Sequence, residues 1–142
     1  GLKKANSTEF DNKAPHPVIS LLEEQKGIKD MGATMRLGLY SCKLKKDTKA
    51  YESYEKDKIS ERHRHRYEFD MKYKKKMEEK GLIISGTSPD SKLVEMVEVK
   101  EHPWFVACQF HPEFKSKPDN CHPLFKNFVK AALHSRKGRK KS

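Results

Sequence analysis

The run WFVACQFHPEF at 104–114 constrains the fold more than any other part of the chain. In an extended strand successive side chains alternate between faces, so Trp104, Val106, Cys108 and Phe110 share one face and Phe105, Ala107, Gln109 and His111 the other. Pro112 then stops the strand. Its ring fixes its own φ and pushes His111 into an extended conformation, so the chain leaves the sheet edge abruptly. His111 and Glu113 are thereby held close on a rigid turn, while Cys108 and His111 diverge. A carboxylate beside an imidazole fixes its tautomer and stabilises the imidazolium, as a general base feeding a nucleophile requires. A His-x-Glu at a strand end is also common as an ordinary pair of solvated polar side chains, and these residues alone leave that alternative open.

The apolar pattern elsewhere switches between strand and helix periods, as an α/β or α+β domain requires. Strands are predicted at 18–22, 34–40, 63–69, 82–85, 93–99 and 104–110. Asp70 can cap a helix over 71–80, with Gly81 supplying the left-handed residue that ends it. Phe125, Phe128, Val129 and Ala132 recur at helical spacing, which predicts a helix over 123–134 with that apolar face laid on the sheet. Pro123 suits its first turn. A further short helix is predicted at 50–58, and GTSPDS at 86–91 reads as a turn. No internal repeat is present.

The chain has 142 residues, enough for one domain or a piece of one, with 31 Lys and Arg against 20 Asp and Glu, a formal charge of +11. Much of the excess is bland. Five Lys and Arg sit in the last eight residues, SRKGRKKS, which no apolar residue anchors, so 135–142 reads as a disordered basic tail. The 43–80 stretch mixes 14 basic with nine acidic residues, the pattern of a solvated surface. No apolar run approaches the roughly 18 residues of a membrane span, and three cysteines are too few for a disulfide scaffold. A soluble, cytoplasmic protein is expected. The missing initiator Met hints at a fragment.

QFHPEF at 109–114 resembles the His–Glu end of the catalytic triad in class I (triad-type) glutamine amidotransferases. ANSTEF at 5–10, TMRLG at 34–38, ERHRHRYEF at 61–69 and HPWFVACQFHPEF at 102–114 narrow the resemblance to the amidotransferase domain of the CTP synthase family, over nearly all of 5–133. The resemblance implies an α/β fold: the later half of a flavodoxin-like open-sheet domain at 1–134, followed by the tail at 135–142. It implies a glutaminase whose ammonia serves a separate synthase domain that aminates ATP-activated UTP to CTP, with Mg2+ in that domain and GTP as allosteric activator. No cofactor or metal is expected in this part. The implied partners are L-glutamine, the preceding half of the domain, the synthase domain, and further copies in a homo-tetramer; no membrane and no nucleic acid are expected.

By the same resemblance His111 and Glu113 are the triad members present, Arg66 binds the α-carboxylate of glutamine, Glu9 binds its ammonium group, and Leu37 lies in the GTP region. In ERHRHRYEF alternation puts Arg62, Arg64, Arg66 and Glu68 on one face and His63, His65, Tyr67 and Phe69 on the other. Without the resemblance this block reads as a polar edge strand. The family nucleophile is a glycine-flanked cysteine upstream of the NSTEF block, and Cys42, Cys108 and Cys121 all lack such a setting. The isolated chain is therefore expected to be inactive. Ala33, where a second glycine is expected, and the loosely matching 42–60 stretch depart from the family pattern. Two other readings compete: a zinc module from Cys108, His111, Cys121 and His122, disfavoured by its spacing, and a nucleic-acid module built on RHRHR and the tail.

Overall fold

The computed structural model describes residues 1–21 and 35–139. Five strands, β3 (Arg36–Leu44), β4 (Lys58–His65), β6 (Leu82–Thr87), β7 (Val94–Val99) and β8 (Val106–Cys108), form an antiparallel sheet in the order β4-β3-β6-β7-β8. A second sheet joins β1 (Ala5–Ser7) in parallel to β2 (His16–Ser20), which pairs antiparallel with β5 (Glu68–Phe69). The helices are few: α1 (Lys49–Tyr54), α2 (Lys74–Glu78) and α3 (Pro123–Arg139).

Local chemistry explains the shorter elements. Thr48 caps α1 by accepting from the Tyr51 amide, and the Glu98 carboxylate accepts from the Lys49 and Ala50 amides at 3.2 Å each. Asp70 accepts from the Lys72 amide, and Gly81 takes φ +91° after α2, both as the sequence predicts. The predicted 71–80 helix is nevertheless broken into a 3-10 turn, Met71–Tyr73, and the short α2.

The core lies on one face of the larger sheet, where Cys42, Leu44, Ala50, Ile59, Met96, Phe110 and Leu124 are buried together. Trp104, Val106 and Cys108 pack against this cluster, so the period-two reading of the 104–110 run holds although only Val106–Cys108 form a ladder. Burying a side chain such as Met96 contributes about 1.5–3 kcal/mol. Gly86, read as part of a turn, sits instead inside β6: a Cβ there would meet Cys42 Sγ at 2.7 Å. A smaller cluster, Phe69, Ile84 and Val94, lies beneath the second sheet.

Several expectations need correction. The 63–69 strand is two strands: β4 begins five residues earlier, at Lys58, and ends at His65, and Arg66 and Tyr67 connect it to β5. Alternation therefore fails after His65, and Glu68 is buried beside Phe69 instead of sharing the exposed face of Arg62 and Arg64. The 43–80 stretch is not all solvated, since Glu61, His63 and Glu68 within it are buried. The apolar stripe of α3 does not lie on the sheet; Phe125, Phe128, Val129 and Leu133 are exposed, and Leu124 is the helix's contribution to the core. That helix runs through Ser135–Arg139, positions read as disordered, because Lys and Arg are good helix formers. Thr34 and Ala33, with the rest of 22–34, and 140–142 lie outside the described residues.

Candidate functional site

β8 and β4 position the predicted His–Glu pair. His111 leaves the sheet with φ −107° and ψ 90°, the extended conformation its proline neighbour requires, and a 3-10 turn follows over Pro112–Lys115. The turn is fastened to the outer edge of β4. The His111 amide donates to the Arg62 carbonyl at 2.9 Å, and Lys115 Nζ donates to the Ser60 carbonyl at 2.5 Å and lies 3.5 Å from the Glu61 carboxylate. On this platform His111 Nδ1 is 2.6 Å from Glu113 Oε1, and the His111 ring stacks on Phe114 with centroids 5.1 Å apart. The hydrogen bond from His111 holds the Glu113 carboxyl below its ordinary range. Because a carboxylate can only accept, Nδ1 carries the proton, and Nε2 is the nitrogen left for proton transfer.

Glu9 and Arg66 come together. With Ile19, Met35, Arg64, His65, Tyr67 and Gln109 they line one cleft of about 580 Å³. An anionic and a cationic side chain lining one cleft is the arrangement that a zwitterionic ligand needs. Leu37 is not among the lining residues, although its ladder partner Arg64 is; it is 66 % exposed on β3.

None of the three cysteines resembles an activated thiol. Burial pushes Cys42 and Cys108 up to about 12, Cys42 lies in the core, and Cys108 Sγ is directed to the Phe110 carbonyl. Cys121 is exposed and lacks flanking glycines. The residues of the zinc reading are otherwise engaged where His122 is concerned, since its Nε2 is 3.2 Å from both Glu61 and the Tyr54 hydroxyl.

A buried charged network behind the cleft went unseen in the sequence. Arg36 makes a two-pronged contact with Glu95 at 2.8 and 3.1 Å and reaches Glu68 at 3.3 Å. His63 Nδ1 lies 2.8 Å from His65 Nε2, and His65 Nδ1 lies 3.1 Å from the Tyr67 carbonyl. Burial, reinforced by Arg36, lowers His63 to about 3 and His65 to about 4, whereas burial raises Glu68 to about 7 against the pull of Arg36. His63, His65 and Glu95 have metal-like spacing, but the Arg36 guanidinium already supplies the positive charge beside Glu95. The His-x-His spacing at 63–65 was the available signal for a shared inward face; its partners Arg36 and Glu95 are distant in sequence.

The family model for class I glutamine amidotransferases matches residues 10–131. A CTP synthase of Caldanaerobacter subterraneus is 62% identical over 134 residues and one of Methanothermobacter thermautotrophicus 59% over 133, each match covering 94% of this chain and 25% of the relative. The chain thus spans about a quarter of the length of these curated relatives. The solved glutaminase domain of Trypanosoma brucei CTP synthase, with bound acivicin, superposes with a TM-score of 0.86 at 34% identity, over 94% of this chain and 52% of that one. No helix among the described residues is long and apolar enough to cross a membrane. The sequence blocks, the fold around the His111 turn and these matches agree: the chain belongs to the class I glutamine amidotransferase family.

Proposed function

We propose that this chain supplies the base and the substrate-selecting wall of a glutaminase that feeds ammonia to CTP synthesis. The observation that carries the reading is the convergence of Glu9 and Arg66 on one cleft, with Gln109 on its wall two residues before the carboxylate-held His111. In this reading Arg66 takes the α-carboxylate of L-glutamine through parallel hydrogen bonds and Glu9 takes its ammonium group. His111 Nε2 removes the proton from a cysteine thiol, the thiolate attacks the side-chain amide carbon, and the imidazolium returns the proton to the departing ammonia. Glu113 stabilises that imidazolium. Water then hydrolyses the thioester.

The thiol is assigned to residues outside these 142, which is supported by the buried, high-pKa state of Cys42 and Cys108 and the setting of Cys121. The remaining parts of the reading rest on the resemblance of the sequence blocks to the CTP synthase family: a synthase domain using ATP and Mg2+ to aminate UTP, a cytoplasmic homo-tetramer, and activation by GTP. Leu37 beside Arg64 offers an exposed apolar surface next to a guanidinium, chemistry compatible with a purine nucleotide. The domain then comprises 1–134, with 135–142 as a basic appendage.

The test is ammonia release from glutamine by this chain alone and after mixing with the preceding segment of the domain. No release alone and partial recovery on mixing are expected. Release by the chain alone that survives changing Cys42, Cys108 and Cys121 to Ser contradicts the reading.

A further inference from the structure

Arg66 and Tyr67 occupy the gap between β4, which ends at His65, and β5, which begins at Glu68, so neither residue belongs to a ladder. The main chain there is held by side chains instead. The Tyr67 carbonyl receives Gln109 Nε2 at 3.1 Å and is met by His65 Nδ1 at 3.1 Å. Gln109 is well anchored for this, since its own amide donates to the Glu95 carbonyl at 2.9 Å.

The donor assignments follow from the acceptor. A carbonyl cannot donate, so His65 carries its proton on Nδ1, and its Nε2 accepts from His63 Nδ1 at 2.8 Å. His65 stays neutral down to about pH 4, because burial and then Arg36 oppose its charge, and this tautomer persists through the neutral range. The Gln109 amide must likewise turn its nitrogen to the carbonyl. Its Oε1 is left buried without a hydrogen-bond partner among the described residues. A buried orphan acceptor is a local cost that an apolar residue of similar shape would remove, so the amide is explained by what its Nε2 holds.

We propose that Gln109, together with His65, is a positioning residue for carboxylate recognition, clamping the Tyr67 carbonyl so that Arg66 is held at the wall of the cleft. The inference rests on the reading of Arg66 as the carboxylate ligand. It assigns Gln109 a role in selecting amino acids over neutral amides, distinct from proton transfer at His111.

The experiment measures glutamine hydrolysis by the complete enzyme carrying Gln109→Met, which keeps length and removes the donor, and Gln109→Glu, which sets an acceptor against an acceptor. Two substrates are compared: glutamine and its α-amide, which lacks the carboxylate. Both variants are expected to raise KM for glutamine about tenfold, the scale of one charge-assisted contact becoming misaligned, while kcat stays within about twofold. KM for the α-amide stays unchanged, as does CTP formation from added ammonia. An unchanged KM for glutamine overturns the clamp, and so does an equal rise for both substrates, which a general loss of structure would produce. Arg66→Lys runs in parallel. A rise there with none in the Gln109 variants removes the clamp alone, whereas no change at Arg66→Lys removes the underlying ligand assignment as well.

Discussion

Two imidazole–carboxylate groupings lie close together in the fold, and their surroundings separate them. At the turn after β8, His111 and Glu113 are 37 % and 55 % exposed and 2.6 Å apart. Behind the cleft, His63 and Glu95 are fully buried, with His65 and Arg36 around them. The buried histidines are held neutral, so they serve as fixed donors and acceptors. The exposed pair faces water, where an imidazole can take and return a proton. Burial therefore assigns structural work to one grouping and leaves chemistry to the other.

The contrast breaks most visibly at Glu95. Glu95→Ala leaves the Arg36 guanidinium buried with Glu68 as its remaining carboxylate partner among the described residues, and removing one member of such a pair costs about 3–5 kcal/mol. Chemical denaturation measures this, and a loss below about 1 kcal/mol would make the network dispensable. Arg66→Lys comes next: a point charge cannot reproduce two parallel hydrogen bonds, so kcat/KM for glutamine should fall by the lower end of about 2–5 kcal/mol with stability unchanged. Unchanged kinetics would return Arg66 to a surface role.

The pH dependence of stability sharpens the comparison. His63 and His65 have folded values of about 3 and about 4 against an ordinary 6.5, so their stabilisation is present above 6.5 and is lost as pH falls toward those values. Glu68, raised from 4.5 to about 7, acts oppositely, favouring the folded state more as pH falls from 7 to 4.5. Between 6.5 and 4.5 the unfolded chain binds two more protons at the histidines and one fewer at Glu68, a net of one. Stability should therefore fall on acidification through that window and more steeply below it. Replacing both histidines with Phe should abolish the drop. Glu113→Gln should lower the glutamine-driven rate less than loss of His111 does, because the amide oxygen can still accept from Nδ1 while failing to stabilise the imidazolium.

The parts of the molecule legible in the sequence are those whose cause is local. The faces of the 104–110 run, the extended His111 before Pro112, the Asp70 cap and Gly81 each depend on residues within a turn or two. The Arg36–Glu95 contact joins residues 59 apart, and no periodicity announces it. For the same reason the break at Arg66 and Tyr67 was invisible: alternation continues through ERHRHRYEF on paper, whereas Glu68 is drawn inward by Arg36. The α3 stripe shows the opposite failure, since a helical period reports an apolar face without saying whether this chain covers it.

The most direct measurement is CTP formation by the complete enzyme with His111→Ala, at saturating UTP and ATP, with either glutamine or added ammonia as nitrogen donor. Removing the general base should lower the glutamine-driven rate by about 10²–10⁴ and leave the ammonia-driven rate nearly intact, because ammonia bypasses the thioester. Equal loss with both donors would contradict the account, making His111 another structural histidine like His63.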